Sequence, residues 1–130
     1  TQARYGIAWG AIGAAMACFE RALEYSKTRK QFERPIGSFQ LVQKDLVDMF
    51  NEIIKAQCMN YQLGRLKNEG RETFAMVSLA KMNACREALT IARKARNILG
   101  GNGISLEYDV IRHLNNLEAV FTYEGTDNVH

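Results

Sequence analysis

A single proline, Pro35, interrupts 130 residues. Proline lacks the backbone donor a helix needs and usually makes up about 5% of a chain, so its scarcity leaves few forced breaks and favours long helices. No stretch alternates with the two-residue period of a strand. Residues Ala3 to about Lys30 are helix-compatible, with charges collected late at Glu20, Arg21, Glu24 and Lys27. Gln31 to Gly37 breaks the pattern around Pro35, and Ser38 is placed to cap a second helix. Val42, Leu46, Met49, Ile53 and Ala56 give that helix one buried face, and Glu69-Gly70 ends it after about Asn68. A third helix, from about Glu72, carries Val77, Ala80, Ala84, Ala88, Ile91, Ala95 and Ile98 on one side, an alanine seam that lets helix axes come close. Gly100-Gly101-Asn102-Gly103 stops it, and a shorter helix from about Asp109 presents Val110, Leu114, Leu117 and Phe121. Thr126-Asp127 signals the start of one more. The predicted fold class is all-α, an antiparallel helical bundle.

Length and charge narrow the function. A chain of this size buries roughly two thirds of its unfolded surface, enough for a core without metal or disulfide staples. Lys+Arg 17 against Asp+Glu 14 leaves +3, too weak and dispersed for a nucleic-acid footprint. The longest uncharged run, Tyr5 to Phe19, falls short of the ~20 residues a membrane crossing needs, so no membrane insertion is expected. Cys18, Cys58 and Cys85, without CxxC spacing, read as reduced core thiols of an intracellular protein. His113 and His130 have Val110 and Asp127 three residues before them, so the Glu-x-x-His pairs of di-iron bundles are missing and no metal is expected. The opening Thr1-Gln2-Ala3-Arg4 and the close at His130 read as the edges of a piece cut from a longer protein.

Four features carry two readings each. Gly6, Gly10 and Gly13 in the first helix imply close approach, of a neighbouring helix or of a ligand. Gly100 to Gly103 is a helix cap and turn, or a bare backbone surface against a cofactor. Arg29-Lys30-Gln31-Phe32 is a solvated helix end, or an Arg and Gln set ready for phosphate and a flat ring system. Glu124, between Tyr123 and Gly125, favours a helix dipole, or is a carboxylate in a cleft fit to remove a carbon-bound proton.

Taken together, these segments resemble the C-terminal helical domain of the acyl-CoA dehydrogenase flavoproteins. The likeness runs through Ala3-Arg4-Tyr5-Gly6, Arg29-Lys30-Gln31-Phe32 with Pro35 and Gln40, and Leu99 to Ser105. It continues through Val110-Ile111-Arg112-His113, Asn116 to Val120 and Thr122-Tyr123-Glu124-Gly125-Thr126. Within the family it is greatest to members that oxidise glutaryl-CoA. The resemblance implies an FAD-dependent oxidoreductase in which Glu124 is the catalytic base, taking the α-proton of an acyl-CoA as the β-hydrogen leaves as hydride. It places Arg4, Tyr5 and Gly125 at the substrate. It places Arg29, Gln31, Phe32, Gln40, Asn97, Gly100, Gly101, Thr126, Asp127 and Asn128 at FAD, with Arg29 and Gln40 reaching the cofactor of a neighbouring subunit. A homotetramer and electron-transfer flavoprotein as acceptor are implied too, in the cytoplasm of a bacterium or the mitochondrial matrix of a eukaryote. Glu33 stands where relatives carry glycine, and Asn97 and Asn128 where glutamine is common. The family's N-terminal helical and middle β-domains have no counterpart in residues 1–130, so this segment alone is expected to be inactive. Another short or branched-chain acyl-CoA dehydrogenase, or a cofactor-free helical interaction domain, are the alternatives.

Overall fold

The computed structural model describes residues 2–130; Thr1, at the head of the opening segment, lies outside them. Four helices account for most of the chain: α1 (Gln2–Thr28), α2 (Gln40–Asn68), α3 (Phe74–Ile98) and α4 (Val110–Thr122). They run up, down, up and down, the all-α bundle the sequence predicts. The alanine faces decide how they pack. Ala8, Ala11, Ala15 and Ala22 of α1 and Ala80, Ala84, Ala88, Ala92 and Ala95 of α3 are all buried, and α1 and α3 share the largest interface in the molecule. Methyl-sized side chains let these two parallel helices close on each other across what would be the diagonal of a square bundle. Consequently α2 packs against both on one side and α4 against both on the other. The periodic face of α2 lands as expected, with Leu46, Met49, Ile53 and Ala56 buried and Val42 partly so. Ion pairs pin the outer helices to α3: Lys94 to Asp45 of α2 at 3.2 Å and Arg93 to Glu118 of α4 at 2.7 Å.

Helix ends follow the sequence in part. Thr73 caps α3, its hydroxyl accepting from the Met76 amide at 3.2 Å. The end of α2 closes by two reversed bonds, Arg71 amide to Leu66 carbonyl at 2.8 Å and Gly70 amide to Lys67 carbonyl at 3.1 Å. Ser38 does not cap α2. Its hydroxyl instead donates to the Pro35 carbonyl at 2.6 Å, within a 3-10 turn over Ile36–Ser38, and Phe39 takes the cap position. The break around Pro35 also holds a hairpin the alternation test does not see, β1 (Lys30–Gln31) antiparallel to β2 (Arg34–Pro35). Phe32 and Glu33 form its two-residue turn with φ 54° and 68°, the left-handed pair a type I′ turn requires. The helix signalled at Thr126-Asp127 is a single 3-10 turn, Asp127–Val129. Among the described residues no helix is long and apolar enough to cross a membrane.

Candidate functional site

Between α1 and α4 lies an open groove of about 700 Å³. Gly6, Gly10 and Gly13 form its floor, and a Cβ built on any of them meets nothing within 4 Å. No helix of this chain therefore uses the space they leave. Ile7, Ala14, Leu117, Val120 and Tyr123 give it apolar walls, while Arg112, His113 and Asn116 make its far end polar. Burial and the adjacent Arg112 hold the His113 imidazole below its usual range.

Glu124 follows Tyr123 at the near end. Helix α4 terminates at Thr122, Tyr123 turns extended, and Glu124 and Gly125 then take φ 55° and 104°. A left-handed glutamate costs ~1 kcal/mol and persists only where its surroundings impose it. Here two cations impose it. The Arg4 guanidinium donates from Nε to the Glu124 carbonyl at 3.0 Å, and the ammonium of Lys81 donates to the Gly125 carbonyl at 2.7 Å. Arg4 is itself seated over the Phe74 ring, 5.0 Å from its centroid. His130 packs against Gly125, its Nε2 3.1 Å from the same carbonyl, where an added Cβ would meet the imidazole at 2.7 Å. Burial, then Lys81 and Arg4, push this imidazole below its usual range. Glu124 itself is exposed.

A second pocket, about 320 Å³, opens at the opposite end of α1. It gathers Arg29, Gln31, Gly100 and Gly101 with Tyr25 and Asn102. The three glycines of the Gly100–Gly103 segment have separate reasons. Gly100, φ 59°, reverses the chain after α3; Gly103 lies so close to the Arg96 carbonyl oxygen that no Cβ fits. Gly101 has no such demand on it: a Cβ there meets nothing within 4 Å, so its bare backbone faces open space. A guanidinium, an amide side chain and an unobstructed backbone around one hollow suit part of a dinucleotide.

Other predicted site residues are placed as follows. Tyr5 turns away from the groove, packing on Leu63, Val77 and Ala80 with Lys67 5.2 Å above its ring. Phe32 is 86% exposed and meets Phe39 edge-on at 6.0 Å. Gln40 and Asn97 are exposed near the second pocket's end of the bundle but do not line it. Thr126 and Asn128 are exposed beside the Glu124 loop, and Asp127 is engaged by Arg86 through a two-point contact of 2.7 and 3.2 Å. The cysteines divide. Cys18 and Cys85 are buried, and desolvation pushes the Cys18 thiol up to about 12, whereas Cys58 is exposed rather than in the core because it lies off the Ile53–Ala56–Leu63 face of α2. Lys81 is the residue sequence reasoning passes over. Its signal was present: a lysine four positions after Val77, on a face of α3 that is apolar but for Ser78.

Comparison with known proteins gives this geometry a lineage. The family model for the C-terminal domain of acyl-CoA dehydrogenases matches residues 1–130. A glutaryl-CoA dehydrogenase from Mycobacterium smegmatis superposes with a TM-score of 0.97 at 53% identity, over 98% of this chain and 33% of that one. A second glutaryl-CoA dehydrogenase structure from M. smegmatis, in complex with FADH2, gives 0.96 at 44% identity with the same coverage. The short-chain specific acyl-CoA dehydrogenase of Megasphaera elsdenii is 37% identical over 126 residues, 97% of this chain and 33% of that protein. The chain thus spans about a third of the length of the relatives it matches. With a whole-length family match and near-superposition on solved members, this chain belongs to the acyl-CoA dehydrogenase family.

Proposed function

We propose that this chain forms the catalytic-base side of an FAD-dependent acyl-CoA dehydrogenase, with glutaryl-CoA as substrate and decarboxylation to crotonyl-CoA as outcome. The observation that carries the reading is the Glu124–Gly125 loop, held left-handed by Arg4 at the mouth of a glycine-floored apolar groove. A glycine floor admits an acyl chain close to the backbone, whereas the space that a missing side chain leaves at Gly125 is filled by the His130 imidazole and gives no room to the acyl chain. Glu124 takes the α-proton through its carboxylate, while Arg4 keeps the loop from relaxing. A carboxylate of ordinary pKa, ~4.3, is a weak base for a carbon-bound proton. Chemistry therefore requires a thioester that acidifies the α-carbon and a site that excludes water once substrate is bound. In the full-length protein, residues outside 1–130 would enclose the carboxylate that is exposed here.

A bound FAD would supply the acceptor for the β-hydrogen, which leaves as hydride. Arg29, Gln31, Gly100 and Gly101 would hold part of it, Arg29 by pairing with phosphate and Gly101 by close backbone approach. Phe32, Gln40, Asn97, Thr126, Asp127 and Asn128 are the outer members of the proposed cofactor set. Electrons would pass on to electron-transfer flavoprotein, and the active form is proposed to be a homotetramer.

The choice of glutaryl-CoA rests on the 53% identity to one solved glutaryl-CoA dehydrogenase; among curated relatives a glutaryl-CoA dehydrogenase at 35% and a short-chain enzyme at 37% are equally similar, so the substrate is decided by experiment. The test uses the purified full-length protein with glutaryl-CoA and butyryl-CoA, following flavin bleaching and carbon dioxide release. Faster bleaching by glutaryl-CoA with stoichiometric carbon dioxide is expected. Glu124→Gln should retain yellow, FAD-loaded protein and lose at least about a thousandfold in kcat, as removal of an essential base does. Near-normal turnover in that variant would remove Glu124 from its role.

A further inference from the structure

Behind the loop that carries Glu124 sits a buried lysine. Lys81 lies on the core-facing side of α3 with a relative exposure of 1%. Lysine is among the residue types least often buried, because an ammonium stripped of water needs partners to replace it. Among the described residues no carboxylate lies within ion-pair distance of it. Its partners are two backbone carbonyls, Gly125 at 2.7 Å and Phe121 at 3.4 Å. Phe121 belongs to the last turn of α4, where free carbonyls form the negative end of the helix dipole and favour a cation. Gly125 is the residue after Glu124.

We propose that Lys81 is a positioning residue for the base: its ammonium clamps the C-terminal turn of α4 to Gly125 and so fixes the backbone from which Glu124 projects. The proposal rests on Glu124 being the base. Two successive carbonyls are thereby anchored to different helices, Glu124 to α1 through Arg4 and Gly125 to α3 through Lys81. The loop needs both anchors. Tyr123, Glu124 and Thr126 are exposed, so apart from the His130 imidazole against Gly125 little packing holds the segment, and the left-handed backbone of Glu124 is not a conformation it would keep unaided. A proton is transferred only across hydrogen-bond distance, which makes the reaction more sensitive to this backbone than substrate binding is. A lysine that merely filled core volume would affect stability and leave the proton-transfer step alone.

The experiment uses the full-length, FAD-loaded protein carrying Lys81→Met, which keeps side-chain length and removes charge and donors. The substrate is deuterated at the α-carbon, either glutaryl-CoA or butyryl-CoA, whichever the wild type turns over faster. A drop in kcat of about 10- to 100-fold is expected, the scale of effect of a ~1 Å misplacement of a reacting group, with KM within a few-fold. The α-deuterium isotope effect should rise, because proton abstraction becomes the slow step. Amide exchange across residues 122–126 should accelerate by about tenfold or more while α3 stays protected. Wild-type kcat, isotope effect and exchange would overturn the proposal. Should Lys81→Met fail to retain FAD, the same three readouts pass to Lys81→Gln, whose amide still donates: a smaller change in the same direction supports the clamp, and wild-type values in all three overturn it. Glu124→Gln in parallel separates the claims. Activity retained there sinks the base reading and this one with it. Activity lost there, beside a wild-type-like Lys81 variant, sinks this one alone.

Discussion

At Gly103 an added Cβ would overlap the carbonyl oxygen of Arg96, whereas at Gly101, two residues earlier, it would meet nothing within 4 Å. The contrast separates the glycines of a motif that composition leaves ambiguous. Gly103 serves the fold, since the turn after α3 must press back on the helix it leaves. Gly101 has no structural task in this chain, and the resemblance assigns it to FAD. The two substitutions should therefore separate. Gly103→Ala is expected to lower unfolding free energy by about 1–3 kcal/mol, the usual cost of forcing a methyl group into a filled space. Gly101→Ala should leave stability within about 0.5 kcal/mol of wild type and yet, if the proposed cofactor site is right, loosen FAD, because the methyl group would occupy the side from which the dinucleotide would approach. Urea unfolding and flavin content after dialysis of the full-length protein measure the two effects. Equal flavin retention in Gly101→Ala and wild type would count against a cofactor at this turn.

Among the elements, what was legible in the sequence is what repeats. The faces of α2 and α3 follow from steps of three and four, and each residue that spacing predicts to be buried is at least partly so. The hairpin over Lys30–Pro35 was not legible, because its strands are two residues long and its turn is Phe32-Glu33 rather than the Asn-Gly or Asp-Gly that signals a type I′ turn. The groove was half legible. Glycines at positions 6, 10 and 13 announce that something comes close, but which side α4 takes is a tertiary fact, set by the diagonal contact of α1 with α3. Likewise the sequence marks Glu124 as chemically interesting, while the anchor at Lys81 depends on α3 passing beneath the loop. These glycines remain expensive to α1, at about 1 kcal/mol each against alanine. Gly10→Ala should accordingly raise stability by up to about 1 kcal/mol, since the methyl group meets nothing in this chain. The same methyl group narrows the groove, so KM for the acyl-CoA is expected to rise several-fold. Thermal unfolding and steady-state kinetics on one preparation read both, and a more stable variant with unchanged kinetics would argue that the groove does not hold the acyl chain.

Across the whole molecule, the proposed site residues fall into two groups separated by the length of α1. Arg4, Glu124, Gly125 and Thr126 gather at its start, whereas Arg29, Gln31, Gly100 and Gly101 gather at its end, roughly 40 Å away at about 1.5 Å for each of its 27 residues. On the proposed roles, one reaction centre would not draw on both ends of one chain, because the base would have to touch the substrate and the substrate the flavin. Each chain would instead give its Glu124 end to one centre and its Arg29 end to another, which would make assembly a condition of activity. Complementation tests this. Full-length Glu124→Gln lacks the base in every centre, and full-length Arg29→Ala is expected to hold FAD poorly in every centre, so each homo-oligomer should be nearly inactive. In mixed oligomers, a centre that takes Glu124 from an Arg29→Ala subunit and Arg29 from a Glu124→Gln subunit is intact. Random pairing of equal amounts makes about a quarter of centres intact, so co-expression should restore about a quarter of wild-type activity. If both groups served the centre of their own chain, every mixed oligomer would contain only defective centres. Co-expression would then restore nothing, and the division of the site between subunits would be wrong.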